Sequence, residues 1–306
     1  MRAERYLRIR KDLKSLRDLS RVTSKYGIRR GDAFSILVQK KIEYVRKNYR
    51  RFESRAEEVL DFWEKNRSFP PWLKLPPVMK LRVLFKAMGY TKNRIARLLR
   101  NPEGSEFEKE IFDAIFSDFV YSPIASENLA ARGKIGEMIL EKYLVKSGVE
   151  FMREKDIKSG ATPDFLILSD CRIGGKRINW MESKSMFGDV FAHKNNLRQL
   201  KNYAEKFGSG AVIYWHGYVN DISDESYLIL GDLTINCEEK KFLKDMVIKI
   251  CDEGEFSWKG GGDLKSERFV RELIRFFKSC KTSIAAEEKF EVKKALERFG
   301  YVVDIE

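Results

Sequence analysis

The sequence predicts an α/β protein in which a mixed sheet flanked by helices follows an all-helical N-terminal half. Three observations lead there. Apolar residues in the first hundred positions recur at helical spacing, whereas from about residue 149 short β-type runs alternate with helical stretches. The charge balance also reverses between the two parts. Residues 1–100 carry 28 Lys/Arg against 10 Asp/Glu, a net +18, while residues 101–306 carry 31 against 36, a net −5. A basic module is thus joined to a mildly acidic one.

The helical half divides at its turn signals. Leu13, Leu16 and Leu19 recur at helical spacing, the chain turns at Gly27, and Asp32 can cap a helix that carries Phe34, Leu37, Val38 and Val45. That is a helix-turn-helix pattern. A second copy follows: Leu81, Leu84, Phe85 and Met88, a turn at Gly89-Tyr90, then Thr91 as N-cap for Lys92 to Arg100. In its second helix Ile95, Leu98 and Leu99 form the apolar stripe, and Arg94, Arg97 and Arg100 fall on the other side, a face suited to a DNA groove or backbone. Pro70-Pro71 and Pro76-Pro77 bracket a tryptophan and predict a rigid linker. After a break at Asn101-Pro102-Glu103-Gly104, the acidic segment Glu106 to Asp118 reads as a further helix. These residues define a basic substrate-binding region, 1–120.

From residue 121 the reading changes. Gly133 to Ser147 is a helix candidate stopped by Gly148. Strands follow at about 149–154, 163–168 and 177–184, then a helix at 194–207 and strands at 210–216 and 226–230. The predicted domain is 121–235, with a C-terminal helical extension over 236–306. That extension contains a helix near Lys240 to Ile250, a flexible run ending at Gly260-Gly261-Gly262, and amphipathic helices with an apolar face of Phe269, Leu273, Phe276 and Phe277. Burial against the preceding domain is expected for that face, with a homodimer as the alternative.

Thr162-Pro163-Asp164 opens one apolar strand, and Glu182-Ser183-Lys184 closes another after a turn at Gly174-Gly175. Asp164 and Glu182 are hard oxygen ligands of the kind that hold Mg²⁺ or Mn²⁺, leaving positions for water and a substrate phosphate. Period-two alternation sets Glu182 and Lys184 on one face, where the lysine can orient or help deprotonate an attacking water. Either motif alone occurs by chance on charged hairpin rims; together, at adjacent strand ends, they predict a metal-dependent phosphodiesterase site.

These residues resemble the PD-(D/E)xK nucleases, and within them the TPD-motif group related to archaeal-type Holliday-junction resolvases, which includes the animal codanin-interacting nuclease. The resemblance rests on Thr162-Pro163-Asp164-Phe165, on Trp180 to Asp189, and on Val212-Ile213-Tyr214-Trp215-His216-Gly217; it fades after about residue 235. It implies a restriction-endonuclease-like core, with Glu137 of the preceding helix completing the metal shell and Gln199, one turn from Tyr203, supporting Lys184 or phosphate. His193, just after the active strand, is a candidate phosphate contact or proton relay. His216 ends an apolar strand and reads as structural or as a rim contact.

The expected function is metal-dependent hydrolysis of DNA, on branched or junction substrates. A ribonuclease and a non-catalytic DNA-binding or scaffold protein are the alternatives; loss of Asp164, Glu182 or Lys184 would mark the latter, and all three are present. The net charge of +13 favours a polyanionic partner, although a membrane surface or an acidic protein also satisfies it. No apolar run approaches membrane-spanning length, and Met1-Arg2-Ala3-Glu4-Arg5 lacks the apolar core of a signal peptide. Cys171, Cys237, Cys251 and Cys280 show no CxxC pairing and read as free thiols of a reducing compartment. An intracellular protein is expected, cytoplasmic in a prokaryote and nuclear in a eukaryote.

Overall fold

The computed structural model describes residues 1–158 and 160–232. The expectations for the C-terminal extension, and those for Cys237, Cys251 and Cys280, lie outside them; Cys171 is a buried free thiol. Along the chain the helices are α1 (Ala3–Asp12), α2 (Asp18–Tyr26), α3 (Arg30–Glu53), α4 (Ala56–Asn66), α5 (Pro77–Ala87), α6 (Lys92–Arg100), α7 (Glu108–Ser117), α8 (Pro123–Lys146) and α9 (Val190–Phe207). The strands are β1 (Phe151–Arg153), β2 (Phe165–Ile167), β3 (Arg172–Ile173), β4 (Lys176–Arg177), β5 (Trp180–Lys184), β6 (Gly210–Tyr214) and β7 (Tyr227–Gly231). The described residues form two compact units, 1–39 with 132–232 and 40–131. The sequence boundary at residue 120 differs from the divisions made by packing, which fall at 39/40 and 131/132.

In the first unit a five-stranded mixed sheet has the order β1-β2-β5-β6-β7. Its first two junctions are antiparallel and its last two parallel. The change of sense follows from the connections. Between β2 and β5 the chain makes a tight excursion through the β3–β4 hairpin, where Gly174 and Gly175 have φ of 58° and 81°, values that a side chain disfavours. Parallel β5 and β6 instead require a crossover, which α9 supplies. The five strands of the sheet fall where the sequence expectation placed strands, whereas the short β3–β4 pair was expected only as a turn at Gly174-Gly175. Both long helices begin earlier than predicted, because their caps lie upstream: Ser122 Oγ accepts the Ala125 N–H at 3.0 Å before α8, and Asp189 Oδ1 accepts the Ala192 N–H at 2.7 Å before α9.

The N-terminal leucines do not share one helix: Leu13 follows the end of α1, Leu16 lies in the turn and Leu19 is in α2. Asp18 Oδ2 accepts the N–H groups of Lys14 and Ser15 at 3.0 and 2.9 Å, which turns the chain between buried Leu13 and Leu19. Gly27, φ 57°, ends α2 as expected. Asp32 does not cap α3; it lies in its first turn.

The second unit is helical. Pro76 precedes α5 and Pro77 occupies its first turn, where a missing N–H costs nothing, so the prolines start a helix as well as close a linker. Asp118 Oδ2 accepts the Val78 N–H at 3.1 Å, and α5 buries Val78, Leu81, Val83, Leu84 and Phe85. Gly89 (φ 78°) turns the chain toward α6, where Thr91 Oγ1 accepts the Arg94 N–H at 3.3 Å. Ile95 and Leu99 of α6 are buried. No helix among the described residues is long and apolar enough to cross a membrane.

The sheet core is sealed where β6 passes Trp180. A Cβ on Gly210 would stand 2.1 Å from Trp180 Cε2, and the indole is pinned by Nε1 donating to Gly208 O at 2.8 Å. Gly210→Ala is therefore expected to destabilise the protein by about 1–3 kcal/mol or more through overpacking. Urea unfolding followed by circular dichroism measures it.

Candidate active site

Strands β2 and β5 pair with Phe165 opposite Met181 and Leu166 opposite Trp180. Continued by one residue, that register brings Asp164 to Glu182. The two are locked reciprocally: the Asp164 N–H donates to Glu182 Oε2 at 3.1 Å, and the Ser183 N–H donates to Asp164 Oδ2 at 2.7 Å. Each carboxylate is thus oriented by the other's strand.

Lys184 follows on the same face of β5. Its Nζ donates to Glu182 Oε1 at 2.6 Å and to Gln199 Oε1 at 3.2 Å. Gln199 Nε2 donates to Tyr203 Oη at 2.7 Å, and that hydroxyl donates to Thr162 O at 2.9 Å. A closed circuit from β5 through α9 returns to the segment that bears Asp164. Gln199 is therefore brought to the Lys184 ammonium, and Tyr203 is the residue that ties it to the Thr162-Pro163-Asp164 turn.

The opposite face of β5 explains why this geometry is fixed. Ser183 Oγ accepts from Trp215 Nε1 at 2.8 Å, and Ser185 Oγ donates to Arg132 O at 2.6 Å. Against these groups α8 presents Gly136. A Cβ there would stand 2.7 Å from Ser185 Oγ and Trp215 Nε1 and 2.9 Å from Ser183 Oγ. Buried Arg132 Nη2 donates to His216 Nε2 at 2.6 Å, and His216 Nδ1 faces Asp32 Oδ1 at 3.2 Å. His216 is buried between Arg132 and Asp32 and sits within the packing of the unit. Arg132 and Gly136 were missed, although glycine inside a helix is a visible sign of close packing.

The same turn of α8 carries Glu137. Its Oε2 accepts from Lys134 Nζ at 2.7 Å, and its negative charge helps raise the Asp164 pKa. Glu137 is thus within electrostatic reach of Asp164 while paired with Lys134. His193 is not brought to this cluster. It is buried in the first turn of α9, with Nδ1 at 3.0 Å from Tyr214 Oη and Nε2 at 3.2 Å from Tyr227 Oη, and burial lowers its pKa. The expectation of a phosphate contact or relay there is corrected: both ring nitrogens are occupied by tyrosines of β6 and β7. Arg94, Arg97 and Arg100 lie on α6 in the other unit, and Arg94 stacks on Tyr90 at 3.6 Å.

Burial first, then the neighbouring Glu182 charge, pushes Asp164 well above the carboxylate range; burial also raises Glu182, against the opposing pull of Lys184. Two such carboxylates fit a hard divalent cation, which would relieve the repulsion that otherwise favours a proton. Among the described residues no group of three or more His, Cys, Asp or Glu forms a closed metal centre. An ion held by Asp164 and Glu182 would take its remaining ligands from water and substrate.

Both carboxyl groups have raised pKa values in the folded state, so without metal their contribution to stability is complete below the unfolded pKa near 4 and is lost as pH rises through the folded values. Asp164→Asn keeps an acceptor for the Ser183 N–H and removes the charge. In EDTA the variant is expected to melt higher than wild type at pH 8, with the gap closing toward pH 4. Thermal unfolding across that range checks it.

Residues 103–233 match the family described as "Protein of unknown function TPD sequence-motif". The chain is 28% identical over 190 residues to mouse CDAN1-interacting nuclease 1, spanning 56% of this chain and 68% of the mouse protein. It is 30% identical over 139 residues to the human protein of that name, covering 43% of this chain and 50% of the human one. An uncharacterized protein of Acanthamoeba polyphaga mimivirus is 26% identical over 165 residues, 49% of this chain and 58% of the viral one. No solved structure matches. The Thr162-Pro163-Asp164 turn lies inside the matched segment, so residues 103–233 are similar to the TPD sequence-motif family and the chain is similar in part to the CDAN1-interacting nuclease 1 proteins of animals.

Proposed function

We propose that the chain is a divalent-metal-dependent nuclease that hydrolyses phosphodiester bonds of DNA, with branched or junction DNA among its candidate substrates, on a core of the restriction-endonuclease-like type. The observation that carries this reading is the convergence of Asp164, Glu182 and Lys184 at adjacent strand ends. Homologues named as nucleases support it. A protein partner belongs to the same reading, since those homologues are also named for one.

Asp164 and Glu182 would hold Mg²⁺ or Mn²⁺, with Glu137 able to join them by leaving Lys134. The ion would supply Lewis-acid stabilisation of charge on the phosphate and leaving oxygen. Lys184 holds the attacking water: its ammonium is fixed by Glu182 Oε1 and Gln199 Oε1 and is mostly shielded from solvent. The raised pKa values of both carboxyl groups make proton release from them part of metal loading, so affinity for the ion should rise with pH.

Capture of substrate is assigned to the basic region. Arg94, Arg97 and Arg100 give one face of α6 to phosphates, in a helix-turn-helix arrangement with α5.

Glu182→Ala, Asp164→Ala and Lys184→Ala are each expected to lower cleavage by at least about 100-fold, the scale of losing one preorganised charge-stabilising group, while DNA affinity is largely kept. Gel assays of purified proteins on labelled branched, single-stranded and duplex DNA and RNA, with Mg²⁺, Mn²⁺ or EDTA, decide this. Metal-dependent cleavage by Glu182→Ala would remove the assignment, and faster cutting of RNA would move the substrate class. Replacing Arg94, Arg97 and Arg100 together by alanine should weaken DNA binding and flatten its log–log salt dependence, by about 0.9 for each duplex phosphate that is no longer neutralised. A salt titration of wild type and triple variant reads that slope.

A further inference from the structure

We propose that Lys134 is a substrate-phosphate contact of this site, a role that rests on the nuclease reading and adds a residue to it. The need is electrostatic. Asp164, Glu182, Glu137 and Glu154 all contribute negative charge at the site, and Glu154 raises the Glu182 pKa alongside the burial that dominates it. A phosphodiester carries the same sign. It must meet a cation on entry, and Lys184 is held inward on Glu182 and Gln199 with its side chain 17% exposed. Lys134 is an exposed cation within electrostatic reach of Asp164: its side chain is 53% exposed and its Nζ lies 2.7 Å from Glu137 Oε2.

The placement of Lys134 is more specific than that of an ordinary surface lysine. The α8 turn beneath it is clamped from both sides, by buried Arg132 on His216 Nε2 at 2.6 Å and by Gly136 against Ser183, Ser185 and Trp215. The backbone of Lys134 is therefore fixed relative to β5, while its ammonium remains accessible. Its pKa is lowered by burial but raised overall by Glu137, Asp164 and Glu154, so the group stays charged and faces the same carboxylates as the substrate would. In the free protein Glu137 occupies the ammonium. An arriving phosphate competes for it as a point-charge partner, and Glu137 is released toward Asp164.

The test uses the full chain with Lys134→Ala and Lys134→Arg. A short fluorescent DNA duplex is titrated by anisotropy in Ca²⁺ and in EDTA at several salt concentrations, and KM and kcat for cleavage are measured in Mg²⁺. Lys134→Ala is expected to weaken binding about fivefold to tenfold and to reduce the salt slope by about 0.9, the increment of one neutralised phosphate. KM should rise more than kcat falls, and Lys134→Arg should restore affinity and slope. Unchanged affinity and slope in Lys134→Ala, with wild type cleaving normally, would overturn the proposal and leave the nuclease reading intact. A loss confined to kcat at constant slope would also overturn it, showing that Lys134 only holds Glu137. If wild type neither binds nor cuts nucleic acid, the nuclease reading fails and takes this role with it. Should the alanine protein melt below wild type, Lys134→Gln repeats the titration without the charge.

Discussion

Everything at the site depends on one reciprocal exchange between two strands: the amide of Asp164 on the carboxylate of Glu182, and the amide of Ser183 on the carboxylate of Asp164. Two acids that would repel each other in isolation are each held by a backbone dipole of the opposing strand. Orientation is thereby separated from charge. A proton or a cation shared between them would relieve the electrostatic strain between two carboxylates whose orientation the backbone amides already set.

The strand that carries Glu182 and Lys184 serves both faces. Glu182 and Lys184 share the face that meets Asp164, while Ser183 and Ser185 are spent on Trp215 and on α8. This division accounts for the aromatic Tyr214-Trp215-His216-Gly217 step: its members are packing and anchoring groups. Tyr214 pairs with Lys184 across β5–β6, and Trp215 donates its backbone N–H to Lys184 O at 3.1 Å. Lys184 is thus positioned through its backbone as well as through its ammonium.

Much of this was legible in the sequence because it obeys short-range periodicities. Strand positions, the Gly174-Gly175 turn, the Thr91 cap and the convergence of Asp164, Glu182 and Lys184 follow from alternation and turn chemistry. His193 shows where such reasoning stops. Its position beside the active strand suggested solvent and phosphate, but the direction of a side chain in the first turn of a helix depends on where the cap falls. With Asp189 as cap, that ring turns onto Tyr214 and Tyr227. Arg132 and Lys134 were invisible for a related reason. Both read as ordinary helix-surface cations, and only the close approach permitted by Gly136 distinguishes the buried one from the exposed one. The extent of α8 and α9 was underestimated because Ser122 and Asp189 act through single hydrogen bonds that leave no periodic trace.

Asp189 has a further partner, and with it a bearing on how the chain assembles. Tyr6 Oη donates to Asp189 Oδ2 at 2.5 Å and stacks on Phe187, so α1 is fastened to the residue that caps α9. The first 39 residues thus join a unit whose other members begin at Arg132. On a ribosome the N-terminal segment emerges first and α1 can meet α2, but its Phe187 and Asp189 partners are made much later, whereas residues 40–131 have their own core sooner. Such long sequence separation makes closure of the sheet unit entropically late. The order of synthesis and the order of folding are therefore reversed for α1, whose exposed apolar face needs shelter during the interval.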